Sequence, residues 1–307
     1  MSSSRKLNFH IIDVFSTTRY QGNPLAIVHV PLTQTKNLTQ EQKQTIAREF
    51  NLSETVFMHE GSLDPNTSDA PVKIDIFTTE EELPFAGHPT VGSSWFLLSG
   101  PGRVGEQRKE IVLQTKAGNM PATLLDSGRV RVKVHTDYKE HPAIAFPWIK
   151  SAQINLQGAD YANGTEGAEA IVSIVKGVSY VLLRLNSEDA LKRLQGTSGR
   201  IEVPGLGEWQ GFVGLYAFYE KEDGNVRTRM FAGNLEDPAT GSAAATLGGW
   251  LGRQKGAGKW TFEIIQGVEM GRKSEIEVFV EVAEGNRVER VELSGNAVEI
   301  AEGSIAF

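Results

Sequence analysis

The sequence predicts an α+β protein built on a duplicated unit, and three observations carry that expectation. First, short strand-like runs recur along the whole chain with few helices between them, which fits α+β better than a doubly wound sheet. Second, the runs show a period of two, most plainly at 129–135, where Val130, Val132 and Val134 alternate with Arg129, Arg131 and Lys133. Third, His88-Pro89-Thr90-Val91-Gly92-Ser93-Ser94 is echoed by Asp237-Pro238-Ala239-Thr240-Gly241-Ser242-Ala243, with Pro, Gly and Ser coinciding. A strand-like run leads into each copy, at Ile74–Phe77 and at Thr228–Phe231, with another strand further back in each half. Matches in the same strand–strand–loop–helix order point to duplication better than the shared residues alone.

Taken in order, residues 7–15 and Leu25–Val30 read as strands, joined through the turn Arg19-Tyr20-Gln21-Gly22-Asn23-Pro24. Gln40–Phe50 reads as a helix, with Thr39 and Gln42 as a capping box and Asn51 suited to the left-handed position after it. Leu52–Met58 reads as a strand with Leu52, Glu54, Val56 and Met58 on one face; Gly61–Ala70 is a polar loop; Lys73–Phe77 is a strand. Ser179–Leu185 is a strand, and Ser187 caps a short helix holding Ala190, Leu191 and Leu194. Further strands fall at Leu215–Tyr219, Val226–Phe231, Glu275–Val282 and Val288–Leu293. The breaker clusters Ala117–Pro121 and Leu125–Gly128 are candidate domain junctions. This places one lobe at 1–125 and a second at 126–307, with a tail at about 297–307 as a candidate to return to the first.

Composition narrows the function classes. The 307 residues carry a net charge of −7 without long single-sign runs, which argues against nonspecific nucleic-acid binding, though a local site can still hold a small anion. There is no cysteine, so disulfides, thiolate catalysis and cysteine-based zinc sites are impossible. No stretch approaches the ~18–20 apolar residues of a membrane span, and no signal-peptide pattern is visible, so a cytoplasmic location is expected. Gly256-Ala257-Gly258-Lys259 fails as a phosphate loop because Arg253 stands where the first Gly belongs and Trp260 follows the Lys. Gly205, Gly207 and Gly211 miss the dinucleotide spacing. His10, His29, His59, His135 and His141 form no metal-ligand spacing; His10 and His29 read as packing residues and His135 as solvated.

The echoed motif has its own chemistry. A Pro in the first helical turn needs no amide partner, and small residues after it allow close approach. Unpaired amides at a helix N-terminus favour anions. Two such helices facing each other across a lobe interface would form a cleft gripping a carboxylate, with His88 and Asp237 at the helix mouths. A single Asp-Pro or His-Pro before a helix is more often a cap than a catalytic group; the pairing of different titratable residues at matched positions favours function. Glu54 is a third candidate, because burial on an apolar strand face would raise its pKa and poise it for proton transfer. Spacing alone leaves open whether it instead reaches solvent.

At these residues the chain resembles the PhzF-like phenazine-biosynthesis family, which has the diaminopimelate epimerase fold. The matching stretches are Gln21–Pro24, Asn51–Thr55, Leu83–Thr90, Glu236–Ala243, and Gln266-Gly267 with Gly271-Arg272 and Ser274, spread over nearly the whole chain in family order. The resemblance implies two pseudo-symmetric lobes, each a curved, mostly antiparallel sheet around a central helix, an active site between them, a homodimer, no metal and no cofactor. Epimerase and racemase relatives carry a cysteine at each helix mouth, and its absence here excludes a two-thiol mechanism. The resemblance instead implies an isomerase acting on a small anionic amino- or hydroxy-carboxylate, as in trans-2,3-dihydro-3-hydroxyanthranilate isomerisation. It makes Glu54 the general base and acid, with His88 and Asp237 orienting the substrate. Gly241 and Ser242 hold its carboxylate, Gly87 and Thr90 line the opposite lip, and Asn23 joins the binding set. Thr79 stands where the family often has Pro, and Lys273 interrupts its Gly-Arg-Pro-Ser pattern; neither touches the proposed acids. A catalytically idle binding protein and an epimerase using carboxylates are the competing readings.

Overall fold

The protein's structure, a computed structural model, describes residues 5–34, 38–62, 70–104 and 108–307, so most of the polar loop expected at 61–70 lies outside the described residues. The chain divides into two units, Met1–Lys133 with Ser294–Phe307, and Val134–Leu293. Both are mixed α and β, sheet-rich with few helices, as the strand-dense sequence predicts.

The first unit runs β1 (Lys6–Val14), β2 (Asn23–Val30), α1 (Gln40–Phe50), β3 (Thr55–His59), β4 (Val72–Phe77), β5 (Glu82–Leu83), α2 (Gly87–Leu98), β6 (Glu110–Thr115), β7 (Gly118–Leu124) and β8 (Val130–Lys133). Helix α1 forms for the reasons read from its ends. The Thr39 hydroxyl accepts from the Gln42 amide, Gln42 reaches back to the Thr39 amide, and Asn51 takes φ 51°. The following strand starts at Thr55 rather than Leu52, because the helix exit and turn occupy Asn51–Ser53, leaving Glu54 just ahead of β3. The two breaker clusters are not domain junctions: Gly118 (φ 115°) opens the second arm of the β6–β7 hairpin, and Leu125–Gly128 turns β7 into β8.

The second unit runs β9 (Lys139–Ala145), α3 (Pro147–Ser151), β10 (Ala168–Val175), β11 (Val178–Arg184), α4 (Glu188–Arg193), β12 (Phe212–Glu220), β13 (Val226–Ala232), β14 (Leu235–Asp237), α5 (Gly241–Lys255), β15 (Gly258–Gln266), β16 (Ser274–Ala283) and β17 (Arg287–Gly295). Its pairing repeats the first unit's. Antiparallel β1–β2, parallel β2–β3, antiparallel β3–β4 and β4–β5, and parallel β4–β6 correspond to β10–β11, β11–β12, β12–β13, β13–β14 and β13–β15. The parallel pairs fall where a helix lies between the strands (α1, α2, α4, α5), since a parallel connection needs a crossover. The remaining strands are antiparallel hairpins.

The last strand, β18 (Ala297–Ala306), pairs antiparallel with β1, just as β9 pairs with β10. In sequence, β9 follows the first repeat and β18 follows the second. Each repeat therefore contributes its closing strand to the unit begun by the other.

Each unit wraps its sheet around one helix. In α2 only Trp95 escapes full burial, and the helix touches β1, β2, β3, β6, β7 and β8; α5 is buried along most of its length against β10, β11, β15 and β16. A helix enclosed this way must be apolar or small on every side. Gly92 shows why small residues are needed: a Cβ there would stand 2.7 Å from both Leu25 Cδ2 and Val14 Cγ2.

Candidate functional site

The first unit brings together Glu54, His88, Asn23, Gly87 and Thr90. Ala86 precedes α2 in extended backbone, and the helix begins at Gly87 without a side-chain cap. Pro89 falls in its first turn, where its missing N–H costs nothing. The Thr90 hydroxyl, fully buried, donates back to the Ala86 carbonyl at 2.7 Å, so it secures the helix entry. His88 follows Gly87 with its side chain 4% exposed, and its Nδ1 lies 3.1 Å from Glu54 Oε2. Its Nε2 is buried with no hydrogen-bond partner among the described residues.

Glu54 is held at the entry to β3, beside Ser53, whose hydroxyl donates to Asn23 Oδ1 at 3.3 Å. Burial pushes its carboxyl up, but the charge and hydrogen bond of His88 and a further bond from Ser53 outweigh it. The net effect is a pKa below the ordinary glutamate value. The group is thus a carboxylate at neutral pH, paired with the one imidazole at the mouth of α2.

The second unit carries Asp237, Gly241 and Ser242 at the start of α5. Here the echo breaks. Asp237 ends β14 and Pro238 precedes the helix, which starts only at Gly241, the residue aligned with Gly92 a turn into α2. The cause is Gln266, a fully buried residue at the end of β15. Its Nε2 donates to the Asp237 carbonyl (2.8 Å) and to Thr240 Oγ1 (3.0 Å), and its Oε1 accepts from the Thr240 amide (3.3 Å). That amide bridge holds 237–240 as an open turn. Thr240 in turn donates its hydroxyl to Asp237 Oδ2 at 2.5 Å, fixing the carboxylate.

Behind Gln266 stands Tyr216, its hydroxyl 3.1 Å from Gln266 Oε1 and 3.0 Å from Thr228 Oγ1; burial pushes it far above the ordinary tyrosine range, so it stays a neutral phenol. The next residue, Gly267 (φ 74°), is pressed between backbones: a Cβ would lie 2.5 Å from the Pro238 and Arg272 carbonyl oxygens. Ser242 Oγ and the Tyr180 hydroxyl are 2.6 Å apart.

Gln266 and Tyr180 have no role in the sequence reading, although Gln266-Gly267 is quoted there as a motif. The signal for Gln266 was available: Phe262, Ile264 and Gln266 share the buried face of one strand, and an amide in an apolar register demands partners. Tyr180 carries no such signal, since a tyrosine in a strand is ordinary core. The histidines set aside as packing residues do pack: His10, His29 and Phe96 form an aromatic trio in the first unit. His135 is exposed as read.

Comparison with known proteins matches residues 12–303 to the family described as "Phenazine biosynthesis-like protein". A Pasteurella multocida protein named an uncharacterized isomerase is 34% identical, over 90% of this chain and 88% of its own. The trans-2,3-dihydro-3-hydroxyanthranilate isomerase of Pseudomonas aeruginosa is 32% identical, over 95% of this chain and 97% of its own. Among solved structures, a PhzF-family phenazine biosynthesis protein of Bacillus anthracis superposes with a TM-score of 0.80 at 20% identity, covering 99% of this chain and 100% of that one. A hydroxyproline epimerase of Agrobacterium vitis reaches 0.61 at 14% identity, covering 100% and 94%. These two show likeness of fold.

Proposed function

The chain belongs to the phenazine biosynthesis-like (PhzF) family, and from that premise we propose that it moves a proton within a small amino- or hydroxy-carboxylate by acid–base catalysis at Glu54. Its relatives at 32–34% identity over most of the chain are isomerases by name, and the chain is an isomerase. The reading extends this to mechanism. Glu54, a carboxylate at neutral pH, takes a proton from one substrate carbon and, now a carboxylic acid, returns one to another, so that a double bond moves and no net proton is gained or lost. His88 holds Glu54 through Nδ1 and turns Nε2 to the substrate. Asp237 binds the substrate's amine or hydroxyl. The amides at Gly241 and the Ser242 hydroxyl receive the carboxylate, with Gly87, Thr90 and Asn23 completing the binding set. No cofactor enters this scheme. A substrate of the trans-2,3-dihydro-3-hydroxyanthranilate type, a homodimer and a cytoplasmic location belong to the same proposal; among the described residues no helix is long and apolar enough to cross a membrane.

The observation that carries the reading is the 3.1 Å contact between Glu54 and His88. It joins a base and its hydrogen-bond donor from separate elements at the mouth of a buried helix. A positioned acid–base group is worth about 10²–10⁴-fold in rate. The test is solvent deuterium uptake into trans-2,3-dihydro-3-hydroxyanthranilate and related carboxylates by the native protein and Glu54→Gln, with binding followed in parallel. Exchange that collapses while binding persists supports the reading. A native protein that binds such carboxylates but never exchanges them is a binding protein, and inverted product configuration without a shifted double bond would make it an epimerase.

A further inference from the structure

We propose that the β1–β18 seam of the first unit binds one divalent transition-metal ion through His10, Glu299 and Glu302. Residues three apart in a regular strand point to opposite faces. Glu299 and Glu302 escape that rule because the β1–β18 register slips: Ile11 pairs with Ala301, but Ile12 pairs with Glu299, leaving Ile300 as an extra residue. The bulge returns both glutamates to one face. His10 lies directly opposite Glu302, and Ile12, which shares the His10 face, lies opposite Glu299. One ligand atom from each of the three falls within 4.8 Å of the others, with His10 Nδ1 already 2.8 Å from Glu299 Oε1. At metal–ligand distances of about 2.0–2.2 Å, one ion spans such a set after a shift of a few tenths of an ångström. Glu302 is exposed and can make it.

The donor set selects the ion. One imidazole nitrogen with two carboxylate oxygens suits the borderline ion Zn²⁺, and also Mn²⁺, a harder ion served by the two carboxylates, with water in the open positions; calcium and magnesium prefer oxygen alone. The histidine is also held in place. The His29 ring meets His10 edge-on at 5.1 Å, and Phe96 of the central helix lies 4.9 Å away. The adjacent Arg19 donates to the backbone carbonyl of Glu299.

The second unit supplies an internal control. Its equivalent seam, β9–β10, has a register shift too, between Glu169 and Ile171. There His141 is buried against Ser173 at 2.8 Å, and Glu169 is taken by Lys150 at 2.6 Å. The bulge belongs to the repeated topology, whereas the open donor set belongs to the first unit. An ion in it would tie a strand near the start of the sequence to the last strand, closing a loop of almost the whole chain.

The experiment uses untagged full-length protein, titrated calorimetrically with Zn²⁺ and by electron paramagnetic resonance with Mn²⁺, alongside Glu302→Gln and His10→Gln. The expected result is one ion per chain and affinity at least ~10-fold weaker in each variant. Hydrogen exchange in β18 should slow on adding the ion to the native protein, and should not slow in Glu302→Gln, which alters an exposed side chain and leaves the fold intact. Absence of binding at millimolar ion overturns the proposal. So does binding undiminished in both variants, which would locate the ion elsewhere.

Discussion

Replacing Gln266 by Leu keeps much of the side-chain volume and removes every hydrogen bond the amide makes. The consequence follows from the partners it abandons. The Asp237 carbonyl loses its 2.8 Å donor and the Thr240 amide loses its 3.3 Å acceptor, in a turn closed against the Gly267 backbone. A buried polar group left without its partner costs about 1–3 kcal/mol; these two are half-buried, so together they predict a loss of roughly 1–3 kcal/mol. Urea denaturation of the native protein and Gln266→Leu reads that difference directly, provided the m-values agree. A double-mutant cycle with Thr240→Val then tests whether the network acts as a unit. Contacting residues in one network couple by about 0.5–3 kcal/mol, and Thr240 receives Gln266 Nε2 while donating to Asp237 Oδ2. A loss below ~1 kcal/mol for Gln266→Leu, or strict additivity with Thr240→Val, would refute the claim that Gln266 holds the 237–240 turn open.

Other perturbations have equally definite outcomes. Because His88 holds Glu54 below the ordinary glutamate range, the acid limb of kcat/KM that reports Glu54 should lie below that range, and His88→Gln should move it upward. Asp75 is buried, yet bonds from His59 and Lys43 hold its carboxyl well below the ordinary aspartate value. Its contribution to stability should be complete above about pH 4 and fall as pH drops toward the depressed value; acid denaturation of Asp75→Asn should lack that component. Thr39→Ala removes a capping box and should cost about 0.5–2 kcal/mol by thermal or chemical denaturation, with little effect on catalysis. Gly92→Ala should destabilise by about 1–3 kcal/mol, since its new methyl meets Leu25 and Val14; a neutral result would mean α2 can move away from the sheet.

What the sequence made legible depended on how local the physics was. Helix α1 was read to its ends because its cap, its capping-box partner and its left-handed exit all lie within a dozen residues. The alternating valines of β8 declared their buried face without outside help. The short β5 and the closing strand β9 were illegible for the opposite reason: their stability comes from partners elsewhere in the chain, and β9 shows exposed residues that no period-two rule would place in a sheet. The tail at about 297–307 was expected to return to the first lobe, and it does so as β18, although its exposed residues carry no strand pattern of their own. Glu54 shows the same limit in electrostatic form. Spacing left burial and solvent exposure both open; burial does push its carboxyl up, but the sign of the net shift is set by His88, which arrives from another element. The echo between His88 and Asp237 is the most instructive case. It correctly announced two similar units, each with a helix after the same strands, yet it wrongly implied that both helices start alike. Local sequence placed a proline after each titratable residue. Whether that proline enters the helix was decided by a glutamine at the far end of the next strand, which takes up the backbone groups that a helical turn would otherwise have paired. A repeat in sequence therefore specifies a shared architecture, while the distinct chemistry of each copy rests on the long-range polar contacts that the two copies do not share.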